Sequence, residues 1–176
     1  RGDVGGICHQ ILPENGYVRP GAVVVGTDSH TTSHGALGAF AFGIGATEMA
    51  SVWALGSVLT VEVPTTIKVV VSGRFRKFVG PKDLILHLIG ILSAQGANFK
   101  VLEFHGETIR KMSTSGRLTL CNMAVEFGAW TGIVAPDETT FAYLRGRPFA
   151  PHGADWDAAV AWWRTLRSDA DAVFDR

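Results

Sequence analysis

Apolar residues fall along this chain in short runs separated by polar loops, and the spacing inside each run predicts alternating strands and helices. Ile7 to Leu12 and Ala22 to Val25 read as strands, joined by a Pro- and Gly-bearing loop from Pro13 to Gly21. Beyond them Ala36 to Phe42 and Thr47 to Leu55 read as short helices, the second with Thr47 as its cap. Ile67 to Ser72 (IKVVVS) is β-branched and bounded by Pro64 and Gly73, which predicts a strand. Leu84, Leu88 and Leu92 form an i, i+4 row in a helix predicted over Pro81 to Ser93. Val101 to Phe104 then reads as a strand, and Ser115 to Phe127 as a helix stopped by Gly128. Ile133, Val134 and Ala135 make a short buried strand, followed by a helix from Asp137 to Leu144. This alternation with short loops is the pattern of a layered α/β fold.

The pattern changes after Arg145. The stretch GRPFAPHGADWD leads into a Trp-rich amphipathic segment, Ala158 to Leu166, and then a charged end, SDADAVFDR. It reads as a linker leading away from the α/β part. Residues 1–60 are expected to be part of a first α/β subdomain and 61–145 a second. Residues 146–176 are expected to be a linker and helix leading to a further domain, so the chain is expected to be an internal fragment of a longer protein.

Composition narrows the function classes. Sixteen basic residues balance sixteen acidic ones, which argues against a nucleic-acid surface. No apolar run approaches the roughly 20 residues of a membrane span, so no membrane partner is expected. Two cysteines, Cys8 and Cys121, make no disulfide framework, and a reducing cytoplasm is the expected location.

Candidate chemistry gathers at the ends of apolar elements. Cys8-His9-Gln10 lies on the first run, and Asp28-Ser29-His30 opens the loop after Val25. Asn122 and Glu126 are four apart and would share one helix face. A lone His or an Asn/Glu pair has an ordinary structural use, as a bonded core residue or a solvated face. The loop GTDSHTTSHG carries more polar chemistry than a turn requires. Adjacent Asp, Ser and His in an extended segment point in alternating directions, so they do not make a nucleophile–base relay, and no G-x-S-x-G elbow is present. A metal site from Asp28, His30 and His34 is open by residue type, although the spacing matches no standard zinc pattern. Pairing of histidines with carboxylates on separate loops remains, and it suits acid–base work.

Three motifs, GICHQ, GTDSHTTSHGALGAFAFGIGATEMA and GRLTLCNMAVEFGAWTGIVAPDET, resemble the aconitase superfamily, in family order from about Gly5 to Arg176. The likeness is nearest to the archaeal-type large subunits of 3-isopropylmalate dehydratase and homoaconitase. It implies incomplete layered α/β/α domains and reversible dehydration of a small hydroxy-di- or tricarboxylic acid such as 3-isopropylmalate or homocitrate. It also implies a [4Fe–4S] cluster as Lewis acid in the full-length protein, and a small swivelling subunit as partner. Carried over by motif, His9 with Asp28 and His30 with Glu126 would be catalytic pairs. Ser29 would bind substrate, and Asn122 would touch the cluster.

The family's three cluster cysteines have no counterpart here, nor do its serine base and its upstream Asp-His pair. No cluster and no metal are therefore expected in this chain by itself, and it is expected to be inactive alone. Self-association is expected through the truncated face, with Ala36 to Phe42 exposed. The alternative is a degenerate, non-catalytic binding or scaffold domain of the same fold.

Overall fold

The computed structural model describes residues 5–57 and 61–176. The boundary expected at residue 60 falls on a stretch outside them. In chain order, α1 (Cys8–Glu14) leads to β1 (Val23–Gly26) and a first 3₁₀ helix (Ser29–Leu37). β2 (Phe40–Gly43) and α2 (Ala46–Leu55) follow. Next come β3 (Thr66–Val70), α3 (Pro81–Leu92), β4 (Val101–His105) and α4 (Glu107–Arg110). α5 (Thr114–Asn122), a second 3₁₀ helix (Met123–Phe127) and β5 (Thr131–Ile133) precede α6 (Glu138–Leu144) and α7 (Ala154–Trp163).

The strands form two parallel sheets among the described residues. β1 pairs with β2, Val23 opposite Phe40 and Gly26 opposite Gly43. In the second sheet the order is β3–β4–β5, Val101 lying opposite Thr66 on one side and Thr131 on the other. Central β4 is buried from Val101 to Phe104, as a strand covered on both faces should be. β3 alternates instead, with Ile67 and Val69 inward and Lys68 and Val70 outward. Ile85 of α3 and Leu120 of α5 close the core over this sheet with Leu102, Phe104 and Phe127.

A second core joins distant parts of the chain. Val18 and Leu37 pack with Phe141 and Leu144 of α6 and with Trp156 and Trp163 of α7. The two cores meet at adjacent residues, Ala36 in the sheet core and Leu37 in the other. The first 3₁₀ helix is thus a pin between them, buried from Thr31 to Leu37.

Several elements differ from the sequence-based expectation. Ile7 to Leu12 is helical, because Ile7 and Ile11 recur at helix spacing and Ile11 N–H donates to the Ile7 carbonyl at 3.0 Å. A short apolar run does not distinguish the two periods. Ala36 to Phe42 is not a helix. Gly38 takes φ 76° and ends the 3₁₀ turn, after which Phe40 and Phe42 alternate in β2. Gly45, not Thr47, caps α2, its N–H donating to the Glu48 carboxylate at 2.6 Å. The long helix to Phe127 changes pitch at Asn122–Met123, although Gly128 stops it in the left-handed region as expected. The last strand begins at Thr131 and ends at Ile133, earlier than the apolar triplet suggested.

Ala36, Leu37, Ala39, Ala41 and Phe42 are buried within this chain, so the expected apolar cut face is not at Ala36 to Phe42. These small residues lie where the 3₁₀ helix and β2 are covered by α5, β5 and β1. The segment 146–176 does not extend away from the rest. Ala150, Trp156 and Trp163 are core, and the Asp175 N–H donates to the Thr66 carbonyl at 2.8 Å.

Candidate active site

Asp28 sits where β1 ends, and it organises the site. Its carboxylate accepts from the His30 N–H at 2.7 Å and so caps the first 3₁₀ helix. Two hydroxyls then tighten that helix: Thr31 Oγ1 donates to the Asp28 carbonyl and Ser33 Oγ to the His30 carbonyl, both at 2.6 Å. Short polar side chains that bond their own backbone favour tight turns over an α-helix. The hydroxyls that crowd the opening loop are therefore mostly structural.

The same carboxylate reaches a second element. His9, in the first turn of α1, places Nε2 3.1 Å from Asp28 Oδ1. A carboxylate only accepts, so the bond puts a proton on Nε2 and leaves Nδ1, 3.5 Å from Cys8 Sγ, as the acceptor in the neutral ring. His30 Nε2 lies 3.4 Å from Glu126 Oε1 on the second 3₁₀ helix. Its Nδ1 is 3.3 Å from Ser29 Oγ and 3.6 Å from Asp28 Oδ1. The His9 and His30 ring centroids are 6.4 Å apart. Two imidazoles, each against a carboxylate, therefore line one rim, and all four side chains keep some exposure to water.

Asn122 and Glu126 reach this rim from either side of the pitch change, not from one α-helical face. Asn122 Nδ2 donates to Ser33 Oγ at 2.8 Å, and the Asn122 carbonyl accepts from Thr32 Oγ1 at 3.3 Å. These bonds tie the end of α5 to the first 3₁₀ helix. Ser29 also borders a mostly apolar cavity of about 600 Å³, lined by Phe42, Ile44, Val52 and Trp130 among others. The cavity flanks the histidine rim without including His9, His30 or Glu126.

Sequence reasoning offered His34 only as a metal ligand with Asp28 and His30, not as a neighbour of His9. It is 1% exposed and its ring centroid lies 6.1 Å from that of His9. A second histidine four positions after His30 was the available signal, but its direction depends on the 3₁₀ pitch.

The electrostatics follow from exposure. The His30 N–H holds the Asp28 carboxyl below its ordinary range; desolvation opposes it, and the charges of His9 and His30 add to the lowering. Asp28 thus favours folding above the ordinary carboxylate range, and that contribution disappears as pH falls through its lowered pKa. Burial, with His9 nearby, pushes His34 down from 6.5 to about 4. As pH falls through that window the unfolded chain takes up a proton that the folded chain refuses. Stability is expected to be full above pH 6.5 and to fall by about 2–3 kcal/mol on the way to pH 4. Urea titrations of the wild-type chain and His34→Gln across that range measure it, and equal pH slopes would refute it.

The chain's own donors do not fit a [4Fe–4S] cluster, which is held by several cysteine thiolates. Cys8 is exposed, while Cys121 is fully buried and burial pushes its thiol far up, so it stays protonated. Among the described residues no three His, Cys, Asp or Glu side chains converge on a metal position, so Asp28, His30 and His34 do not form one.

The aconitase family model (aconitate hydratase) matches residues 2–176. The chain belongs to the aconitase family. It is 52% identical over 171 residues to the 3-isopropylmalate dehydratase large subunit 1 of Bradyrhizobium diazoefficiens. That match covers 97% of this chain and 36% of the relative, so the chain spans about a third of that protein's length. The mixed α/β architecture with parallel sheets is consistent with an aconitase-family segment. Among the described residues no helix is long and apolar enough to cross a membrane.

Proposed function

We propose that this chain is the segment of a hydro-lyase large subunit that supplies two histidine–carboxylate pairs to a dehydratase site. The observation that carries this reading is the convergence of His9–Asp28 and His30–Glu126 on one rim, from positions 19 and 96 residues apart in sequence. The substrate class would be a hydroxy-di- or tricarboxylic acid, with 3-isopropylmalate or homocitrate as candidates. The 52% identity to a 3-isopropylmalate dehydratase large subunit favours the first.

Each carboxylate holds its imidazole at Nε2 and sets the ring's orientation. Such a ring, when protonated, is a cation for a substrate carboxylate and a proton donor for departing hydroxide. Dehydration breaks a C–O bond and a C–H bond, and the two together release one water. This segment would serve the C–O side, with the base for the C–H side supplied from outside it. Ser29, beside the apolar cavity, would hold the substrate. Family membership implies a [4Fe–4S] cluster in the complete protein, which Asn122 would face. Its ligands would come from outside this chain, and a small subunit would complete the site. The cytoplasm is the compartment this reading favours, and the chain alone would be inactive.

Glu126→Gln in the complete protein tests the reading. It removes the charge behind His30 while keeping the shape. Acid–base groups are worth about 10²–10⁴ in rate, and kcat is expected to fall about a hundredfold. The pair is half-exposed, so the unfolding midpoint should hardly move. An unchanged kcat would remove Glu126 from the mechanism.

A further inference from the structure

Three imidazoles, not two, meet at this rim. His9 lies between His30, at 6.4 Å, and His34, at 6.1 Å with the planes 53° apart. His34 differs from the other two in burial and bonding. It is 1% exposed, and its Nδ1 is buried without a hydrogen-bond partner. A polar atom left in that state is uncommon in a folded protein.

We infer that His34 is a positioning residue for the His9–Asp28 pair, its ring forming the fixed wall against which the His9 imidazole is set. The inference rests on the functional reading above. His9 comes from a seven-residue helix whose first turn has no side-chain cap, so α1 by itself does little to orient the ring. The first 3₁₀ helix is pinned between two cores, and His34 is part of its buried stretch. A ring carried by that helix is therefore held more firmly than the one it faces.

The wall has to be uncharged, because two cationic rings side by side would repel each other. Burial keeps His34 neutral across the physiological range. The groups that could alter this lie on the elements packed around its helix. They are Cys8, His9 and Glu14 of α1, Arg117 and Cys121 of α5, and Glu126 of the second 3₁₀ helix. Arg117 is spent on Asp137, and β1, β2 and β5 carry no titratable side chain. Aspartate 28 and His30 complete the set.

Nuclear magnetic resonance of the ¹⁵N-histidine-labelled wild-type chain is the primary test. His34 is expected to remain a neutral single tautomer at pH 6, in through-space contact with the His9 ring. A charged His34 at pH 6, or no contact between the rings, would overturn the proposal. His34→Ala is then expected to turn the single His9 tautomer into a mixture, as its bond to Asp28 loosens. His34→Phe, which keeps a flat ring, should restore the single tautomer. An unchanged His9 tautomer in folded His34→Ala would also overturn it. Should that variant fail to fold, the wild-type spectra still decide. In the complete protein, His9→Ala without loss of activity would sink the functional reading and leave the ring geometry standing.

Discussion

Replacing Asp137 with alanine is expected to cost about 4–6 kcal/mol, enough to leave the chain largely unfolded at room temperature. Arg117 is fully buried, and both its terminal nitrogens donate to the Asp137 carboxylate at 2.7 Å. Its remaining bonds are to the Arg110 carbonyl at 3.0 Å and the Thr140 hydroxyl at 3.5 Å, and its Nε has no partner. Without the carboxylate the guanidinium stays buried and uncompensated, a state that costs about 3–5 kcal/mol. Asp137 is also the N-cap of α6, accepting from Thr139 N–H at 3.0 Å and Thr140 N–H at 3.3 Å, which adds about 1 kcal/mol. Asp137→Asn keeps the cap and loses the charge, so it should cost about 1 kcal/mol less. Urea unfolding followed by tryptophan fluorescence measures both. Losses under about 1 kcal/mol would mean that water reaches the pair through the partly exposed Asp137.

Gly35→Ala is expected to cost about 3 kcal/mol and to open the rim. A Cβ there would fall 1.8 Å from the Gly132 carbonyl oxygen and 3.3 Å from the Ile133 Cα, all backbone atoms of β5. The contact cannot relax by a rotamer change. The Gly35 carbonyl accepts from Val134 N–H at 3.0 Å, so the two backbones are locked at this separation. Relief requires the first 3₁₀ helix to move off β5, which carries His30 and His34 away from the elements that hold Glu126 and His9. The expected readout is a lowered urea midpoint together with shifted His9 and His30 ring resonances. A variant with wild-type stability and unshifted rings would show that the pin between the cores yields without disturbing the site.

The resemblance was legible in the motifs, and so were the pairs to look for. His9 and Asp28 are close because α1 packs on the first 3₁₀ helix, which Asp28 caps, and His30 and Glu126 because the second 3₁₀ helix abuts the first. The identity of each partner could be named from sequence, whereas the path that joins them could not. Asn122 and Glu126 show the difference. Counting by fours places them on one α-helical face, yet the helix narrows its pitch between them, so Asn122 goes to Ser33 and Glu126 to His30.

Local sequence determined much of the regular structure by itself. The β-branched run at Ile67, the Pro81 helix start and the Gly128 stop each depend on the steric preferences of a few neighbouring residues. Tertiary structure alone decided whether the short apolar runs at Ile7 and Ala36 became helix, turn or strand. Such runs satisfy either period, and burial against a partner chooses between them. It also decided where α7 goes. Its tryptophans read as one amphipathic stripe, but the residues that cover Trp156 and Trp163 stand as far back in the chain as Val18 and Leu37. His34 belongs to the same class. Its spacing from His30 is written in the sequence, but its burial behind His9 arises only when α1 packs on the pinned 3₁₀ helix, because burial is a property of the assembled surfaces.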